Sequence, residues 1–270
     1  MYSLNGIPLD NPEYGWTLLE ASSPLLAHSA NRSRLQIPGR DGSVRLPATT
    51  DTPIMRLTVE TPRANAEALL ALAASDPVIT RTAPPGPDES AKSAQTEFLA
   101  SSPIGVEPDD AMIEVDLMLQ IPGAFWRDVA EVTQGPFTLV SASQEIAVLT
   151  GISAPVQDAI VRVKGAATGV RVTDDAGGSW FAYSGELAGT DYLRFEAATG
   201  RAYVTTSNVW TGGTEVSGAI DYDGPRQVFE LTPRIDVVDP TSRGARLVVT
   251  SLTRSAAEVS VRARGAYRAV

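Results

Sequence analysis

Arg34-Leu35-Gln36-Ile37-Pro38-Gly39-Arg40-Asp41-Gly42-Ser43-Val44-Arg45-Leu46-Pro47 carries the sharpest hairpin signal in the chain. Leu35 and Ile37 alternate with Arg34 and Gln36, and Val44 and Leu46 alternate with Ser43 and Arg45. The Pro-Gly-Arg-Asp-Gly between them joins a fixed φ to glycines free to take φ > 0. This pattern predicts a β-ribbon whose charged tip, Arg40 and Asp41, projects away from any core. Such a tip is either a solvated turn or a surface that touches another subunit. Nothing in the ribbon proposes catalytic chemistry.

The composition is that of a globular protein. The 270 residues, 43% of them hydrophobic, can bury a sizeable core, and the length favours two domains over one. No run approaches the roughly 18 consecutive apolar residues of a membrane span. The opening Met-Tyr-Ser-Leu-Asn-Gly has no basic stretch leading into an apolar one, so the expectation is a protein kept in the cytoplasm or exported without a signal. With 32 acidic residues against 22 basic ones, the net charge is -10. That surface repels phosphate backbones and anionic lipid, which argues against sequence-specific nucleic-acid binding but permits a passage through which nucleic acid slides. The chain has no cysteine, which removes disulfides, thiolate nucleophiles and thiolate metal ligands.

Outward from the ribbon, Leu4-Asn5-Gly6-Ile7 fits a two-residue type I′ turn, and residues 16–20 read as a short strand. Residues 54–60 alternate, with Met55, Leu57 and Val59 on one face and Arg56, Thr58 and Glu60 on the other. A single helix follows, with Thr61 as N-cap, Pro62 at the first helical position, and Ala66, Leu69, Leu70 and Ala73 forming one apolar face. Asp76-Pro77 ends it. Strand candidates 78–82 and 96–100 flank a proline- and charge-rich excursion over residues 83–93. The longest alternation runs from Met112 to Ile121, with Ile113, Val115, Leu117, Leu119 and Ile121 on the apolar face and Met112, Glu114, Asp116, Met118 and Gln120 on the other. A Pro122-Gly123 break then leads to Phe125 and Trp126, aromatics suited to pin the end of a domain.

Beyond about Thr133 the texture changes to short strands between glycine-rich turns. Candidates are residues 137–140, 146–150, 160–164, 169–173, 180–183, 192–196, 202–206, 228–231, 246–250 and 259–264, the spacing of a β-sandwich. The expected fold is therefore mainly β. Residues 1–133 form an α+β domain, a β-barrel or sheet with one helix, and residues 134–270 form a β-sandwich.

The catalytic inventory is poor. His28 is the only histidine, in an Ala-His-Ser-Ala context with no Gly-x-Ser-x-Gly elbow, so triad chemistry and histidine-based metal sites lack their parts. Asp109-Asp110, Asp174-Asp175 and Asp221-Tyr222-Asp223-Gly224 could touch calcium, but none has the ligand spacing of a dedicated loop, and they read as turns. A glycosidase needs only two carboxylates, and no pair stands out. Trp180, Trp210 and Tyr222 could stack on sugars. Trp180 reads as core and Trp210, in Asn-Val-Trp-Thr-Gly-Gly, as the surface candidate. No catalytic residue, cofactor or metal site is assigned.

The order of these motifs carries a resemblance. Leu4-Asn5-Gly6-Ile7-Pro8-Leu9, the ribbon with Pro38-Gly39-Arg40-Asp41-Gly42, the alanine-rich helix, the strand into Ile121-Pro122-Gly123-Ala124-Phe125-Trp126 and the all-β second half together resemble the distal tail proteins of long-tailed bacteriophages. Gly151-Ile152-Ser153-Ala154-Pro155, Ile160-Val161-Arg162-Val163-Lys164-Gly165, Gly178-Ser179-Trp180 and Val259 to Tyr267 are similar to that family's galectin-like or carbohydrate-binding-module-like domain. Thr232-Pro233-Arg234 departs from the proline-glycine more usual there.

The resemblance implies a hexameric ring at the end of the tail tube, built by the first domain between tube protein and tail hub, with DNA passing through and the second domain outside as a platform. Its partners would include receptor-binding proteins or cell-surface glycans, and its place would be the virion tail tip after assembly in the host cytoplasm. The ring-contact candidates are Arg40, Asp41, Val44 and Leu46 in the ribbon and Leu69 and Leu70 on the helix; the glycan-stacking candidate is Trp210. A second reading is a carbohydrate-binding protein or carboxylate-dependent glycan hydrolase of the cell envelope.

Overall fold

The computed structural model describes residues 1–21, 30–31, 34–36, 44–45, 49–82, 90–104, 111–239 and 241–268, which form two compact units. The first holds residues up to Val129 together with Tyr267 and Arg268 at the end of the chain; the second runs from Ala130 to Ala266.

The first unit contains β1 (Tyr2–Leu4), β2 (Ile7–Pro8), β3 (Thr17–Ala21), β4 (Ala30–Asn31), β5 (Arg34–Leu35), β6 (Val44–Arg45), β7 (Thr49–Thr50) and β8 (Ile54–Pro62). After the 3-10 turn Arg63–Asn65 come helix α1 (Ala66–Ala73), β9 (Val78–Arg81), β10 (Lys92–Gln95), β11 (Glu97–Ile104), β12 (Met112–Gln120) and β13 (Trp126–Asp128). One antiparallel sheet has the order β2-β1-β9-β10-β13, and a second has β11-β12-β8-β3. Among the described residues these are open sheets, not a closed barrel. Asn5 (φ 48°) and Gly6 (φ 83°) both take positive φ, as a type I′ turn requires, and pair Leu4 with Ile7.

The alternation read in β8 and β12 is realised in register: Leu57 lies opposite Leu117, and Val59 opposite Val115. With Met55 and Leu119 these residues are buried against Leu69 and Ala73 of the helix and against Leu4, Ile79 and Trp126 of the other sheet. Each such side chain contributes at most about 1.5–3 kcal/mol of burial.

The helix begins later than its sequence signals suggest. Thr61 and Pro62 continue β8, where they pair with Ile113 and Met112. Asn65 takes the N-cap position, but its side-chain amide donates to the Tyr14 carbonyl (2.8 Å) rather than capping the helix. Pairing with the long β12 overrides the local Thr-Pro preference. The helix stops as expected before Asp76, which takes φ 50°; its carboxylate accepts the Phe98 N–H (3.0 Å). The excursion is shorter than read, because Lys92 and Ser93 belong to β10, which pairs with β9 and β13. Residues 83–89 lie outside the described residues.

The second unit contains β14 (Val132–Thr138), β15 (Ser143–Thr150), β16 (Ile160–Lys164), β17 (Ala167–Asp174), β18 (Trp180–Leu187), β19 (Tyr192–Glu196), β20 (Arg201–Thr205), β21 (Thr214–Glu215) and β22 (Ile220–Asp223). It continues through β23 (Arg234–Ile235), β24 (Arg243–Thr250), β25 (Thr253–Arg254) and β26 (Glu258–Ala263). The last strand, β27 (Ala266–Tyr267), begins in this unit and ends with Tyr267 in the first. Two antiparallel sheets result, β14-β26-β16-β19-β20-β21 and β15-β24-β17-β18-β22. Their inner faces meet where Phe181 of β18 stacks on Phe195 of β19, with Phe229 edge-on to both, and this contact makes the unit a β-sandwich.

Three readings of this half need correction. Residues 228–231 are not a strand; only Leu231 bridges, to Val156, while Phe229 and Leu231 fill the core from a loop. Asp221 to Asp223 is not a turn but part of the edge strand β22, paired with β18. Trp180 is half-buried rather than core, because its neighbour Phe181 has the inward parity.

Candidate assembly and ligand surfaces

The ribbon's arms are present. β5 pairs antiparallel with β6, Arg34 opposite Arg45 and Leu35 opposite Val44, and β4 pairs with β7 just outside them. The tip residues Arg40 and Asp41, and Leu46, lie outside the described residues, as does the side chain of Val44. On the helix, Leu69 is wholly buried in its own unit's core, so of the two leucines only Leu70, half-buried, keeps surface that a neighbour could touch.

A different surface emerges on the outer face of the β11-β12-β8-β3 sheet. Ile54 (44% exposed), Met118 (39%), Met112 (42%) and Ile104 (37%) stand on it, around a polar centre. There the Asp116 carboxylate, in a residue only 7% exposed, accepts from Arg56 and from the Thr58 hydroxyl (2.7 Å). Burial alone would raise the pKa of Asp116; the hydrogen bonds from Arg56 and Thr58 outweigh it and hold the group below the ordinary carboxylate value. Reading β12 by parity placed Met112 and Met118 on the polar face. Their apolar chemistry was the signal that this face is not a purely solvated one.

In the second unit the largest perturbation belongs to Asp174, at the mouth of the β17–β18 hairpin. It is fully buried, and burial pushes its carboxyl up to about 6, even though it accepts the backbone N–H groups of Gly177 (2.6 Å) and Thr232 (3.1 Å). Nearby Glu230 accepts from Gln157 (3.0 Å) and Arg226 (3.2 Å), and the Ser179 hydroxyl donates to the Glu230 carbonyl (2.8 Å). These bonds tie the loop carrying Phe229 and Leu231 to the hairpin, so the carboxylates serve as anchors of a turn. Asp175 pairs with Arg234 (2.7 Å). Among the described residues no group of three or more His, Asp or Glu side chains could hold a metal ion. Asp109, Asp110 and His28 lie outside them.

Trp210 is half-buried, and the Arg162 guanidinium lies over its ring at 4.2 Å and over the Tyr192 ring at 5.1 Å. One face of the expected stacking platform is thus covered by a cation. Trp180 is covered similarly, with Arg171 at 3.8 Å.

Comparison with known proteins gives no matching protein-family model and no matching curated relative. Solved structures do match. The SPP1 Dit (gp 19.1) protein, described as a paradigm of the hub adsorption apparatus in phages infecting Gram-positive hosts, has 13% sequence identity and a TM-score of 0.59, covering 97% of this chain and 98% of its own. The phage P2 baseplate in its activated conformation, with Ca or with Sr, matches at 11% identity and a TM-score of 0.36, over 92% of this chain and 90% of that one. The resemblance to phage distal tail proteins drawn from the motif order is therefore met by the fold: along nearly its whole length, the chain folds like a phage Dit protein.

Proposed function

We propose that the protein is a structural component of a phage tail tip, a hub or baseplate protein without catalytic activity. One observation carries this reading: the likeness to a solved Dit protein spans almost all of both chains, including both units. In the fuller form of the proposal, the first unit closes a hexameric ring that joins tail tube to tail hub. The second unit stands outside the ring as a platform for receptor-binding proteins or cell-surface glycans.

The physical features support this reading. The outer sheet face with Ile54, Met112 and Met118, together with the ribbon, offers different patches of the kind a head-to-tail ring requires. A net charge of -10 suits a passage that DNA crosses without sticking. The most perturbed carboxyl, Asp174, is buried and accepts two backbone N–H groups, while its acidic neighbour Glu230 is engaged by Gln157 and Arg226, so both acids serve a turn.

Gold-labelled antibody raised against the chain tests the assignment on the long-tailed phage that encodes it. Label confined to the tail tip is expected. Label on the capsid, or on no particle, would overturn the proposal.

A further inference from the structure

The outer face of the six-stranded sheet carries a small polar depression of about 130 Å³, lined by Pro136, Arg162, Lys164, Tyr192, Asn208, Glu258 and Ser260. It is well below the roughly 300–1,000 Å³ of a drug-sized pocket and matches a single polar headgroup. Two cations meet one carboxylate in it, a local positive excess in a chain of net charge -10. Lys164 takes that carboxylate, Glu258, at 3.2 Å.

Arg162 is held differently. Its guanidinium lies over the Trp210 and Tyr192 rings, and one of its N–H groups reaches the Val209 carbonyl at 3.4 Å. A guanidinium carries five donors in a rigid fork and, once stacked and fixed, can give two parallel N–H groups to the oxygens of a carboxylate or phosphate with little further loss of freedom. Burial holds its pKa below the ordinary value, with Tyr192 and Glu258 acting the other way, so the charge has already lost part of its hydration. Ser260, only 5% exposed, adds a hydroxyl, and Asn208 adds an amide to the same depression. Trp210 is half-buried and adjoins the depression through Arg162, which lies over its ring; an indole so placed can support a sugar ring.

We propose that this depression binds the carboxylate or phosphate group of an acidic saccharide, with Arg162 as the principal ligand, Asn208 and Ser260 as supporting donors, and Trp210 under the sugar. The two anions share one chemistry, delocalised charge on oxygens that accept from a guanidinium fork, and the test separates them. The inference rests on the second unit alone and stands or falls independently of the ring.

Calorimetric titration of the full chain with glucuronate, glucose 6-phosphate and glucose at equal ionic strength decides it. Saturable binding of one or both anions is expected, at a Kd of about 1 mM or tighter, with glucose weaker than either. Glucuronate alone would assign a carboxylate ligand, and glucose 6-phosphate alone a phosphate. Arg162→Lys removes the fork, and Ser260→Asp places a competing carboxylate beside it; each should weaken binding at least about tenfold. Exposed Asn208 offers a third variant, Asn208→Ala, that leaves the stack in place and should weaken binding less. Should Arg162→Lys lower the melting temperature, the other two variants decide. Absence of binding by both anions, glucose binding as tightly as they do, or anion binding unchanged in the variants would overturn the proposal.

Discussion

Phe181 and Phe195 stand on facing sheets and stack with ring centroids 4.2 Å apart and planes 18° from parallel. Both are wholly buried, and Phe229 closes on the pair edge-first, at 5.2 Å from Phe181 and 5.7 Å from Phe195. Three rings from two strands and a loop thus form the centre of the second unit. Phe181→Ala should destabilise that unit by about 3–5 kcal/mol, as truncation of a buried aromatic does. Hydrogen exchange should show faster opening of residues 160–205, with residues 54–60 and 112–120 unchanged. Equal protection in variant and wild type would contradict the packing described.

Asp174 makes the second unit pH-sensitive with a definite sign. Its carboxyl titrates near 6 in the folded chain against an ordinary 3.8, so between these values the folded state binds more protons than the unfolded state. This group's contribution therefore makes the protein less stable as pH rises from about 4 to about 6, and is constant above that. In Asp174→Asn this component of the slope should vanish. Chemical denaturation of both proteins across that interval measures it, and identical slopes would show that Asp174 is not the group responsible.

Gly177 tests the same turn sterically. A Cβ there would lie 2.2 Å from the Thr232 hydroxyl oxygen and 2.6 Å from an Asp174 carboxylate oxygen. Gly177→Ala should loosen the bonds that hold the loop with Phe229 and cost about 1–3 kcal/mol, the scale of a buried polar group left without its partner. A melting temperature equal to wild type would refute this.

The alternation of β8 and β12 was legible because one face of each is buried, and parity then fixes every neighbour. What parity could not supply was the character of the other face, where Met112 and Met118 stand beside Asp116. The helix start was misread because Thr61 and Pro62 carry strong local cap signals, yet nine residues of ladder with β12 outweigh them. Edge strand β22 escaped notice because Asp221, Tyr222 and Asp223 are all exposed and show no alternation. In the candidate depression, Trp210 was visible as a surface aromatic. Arg162 was not, because the stack joins β16 to a residue far along the chain, through a loop whose course no local pattern encodes.

The outer sheet face yields a prediction that separates assembly from folding. Met118→Asp and Ile54→Asp alter exposed residues, so each should change monomer stability by no more than about 0.5 kcal/mol. If this face meets a neighbouring subunit, both variants should weaken self-association strongly, as should the Val44→Asp/Leu46→Asp ribbon variant. Sedimentation of folded variants against wild type is the comparison; association unchanged in all three would exclude both patches from the contact.

Electron microscopy of the full-length protein, with mass photometry of the same sample, tests the central claim most directly. The account predicts closed rings of six copies around an open channel, with the second unit at the periphery. Closed assemblies of another symmetry, or a ring built by the second unit with the first outside, would contradict it.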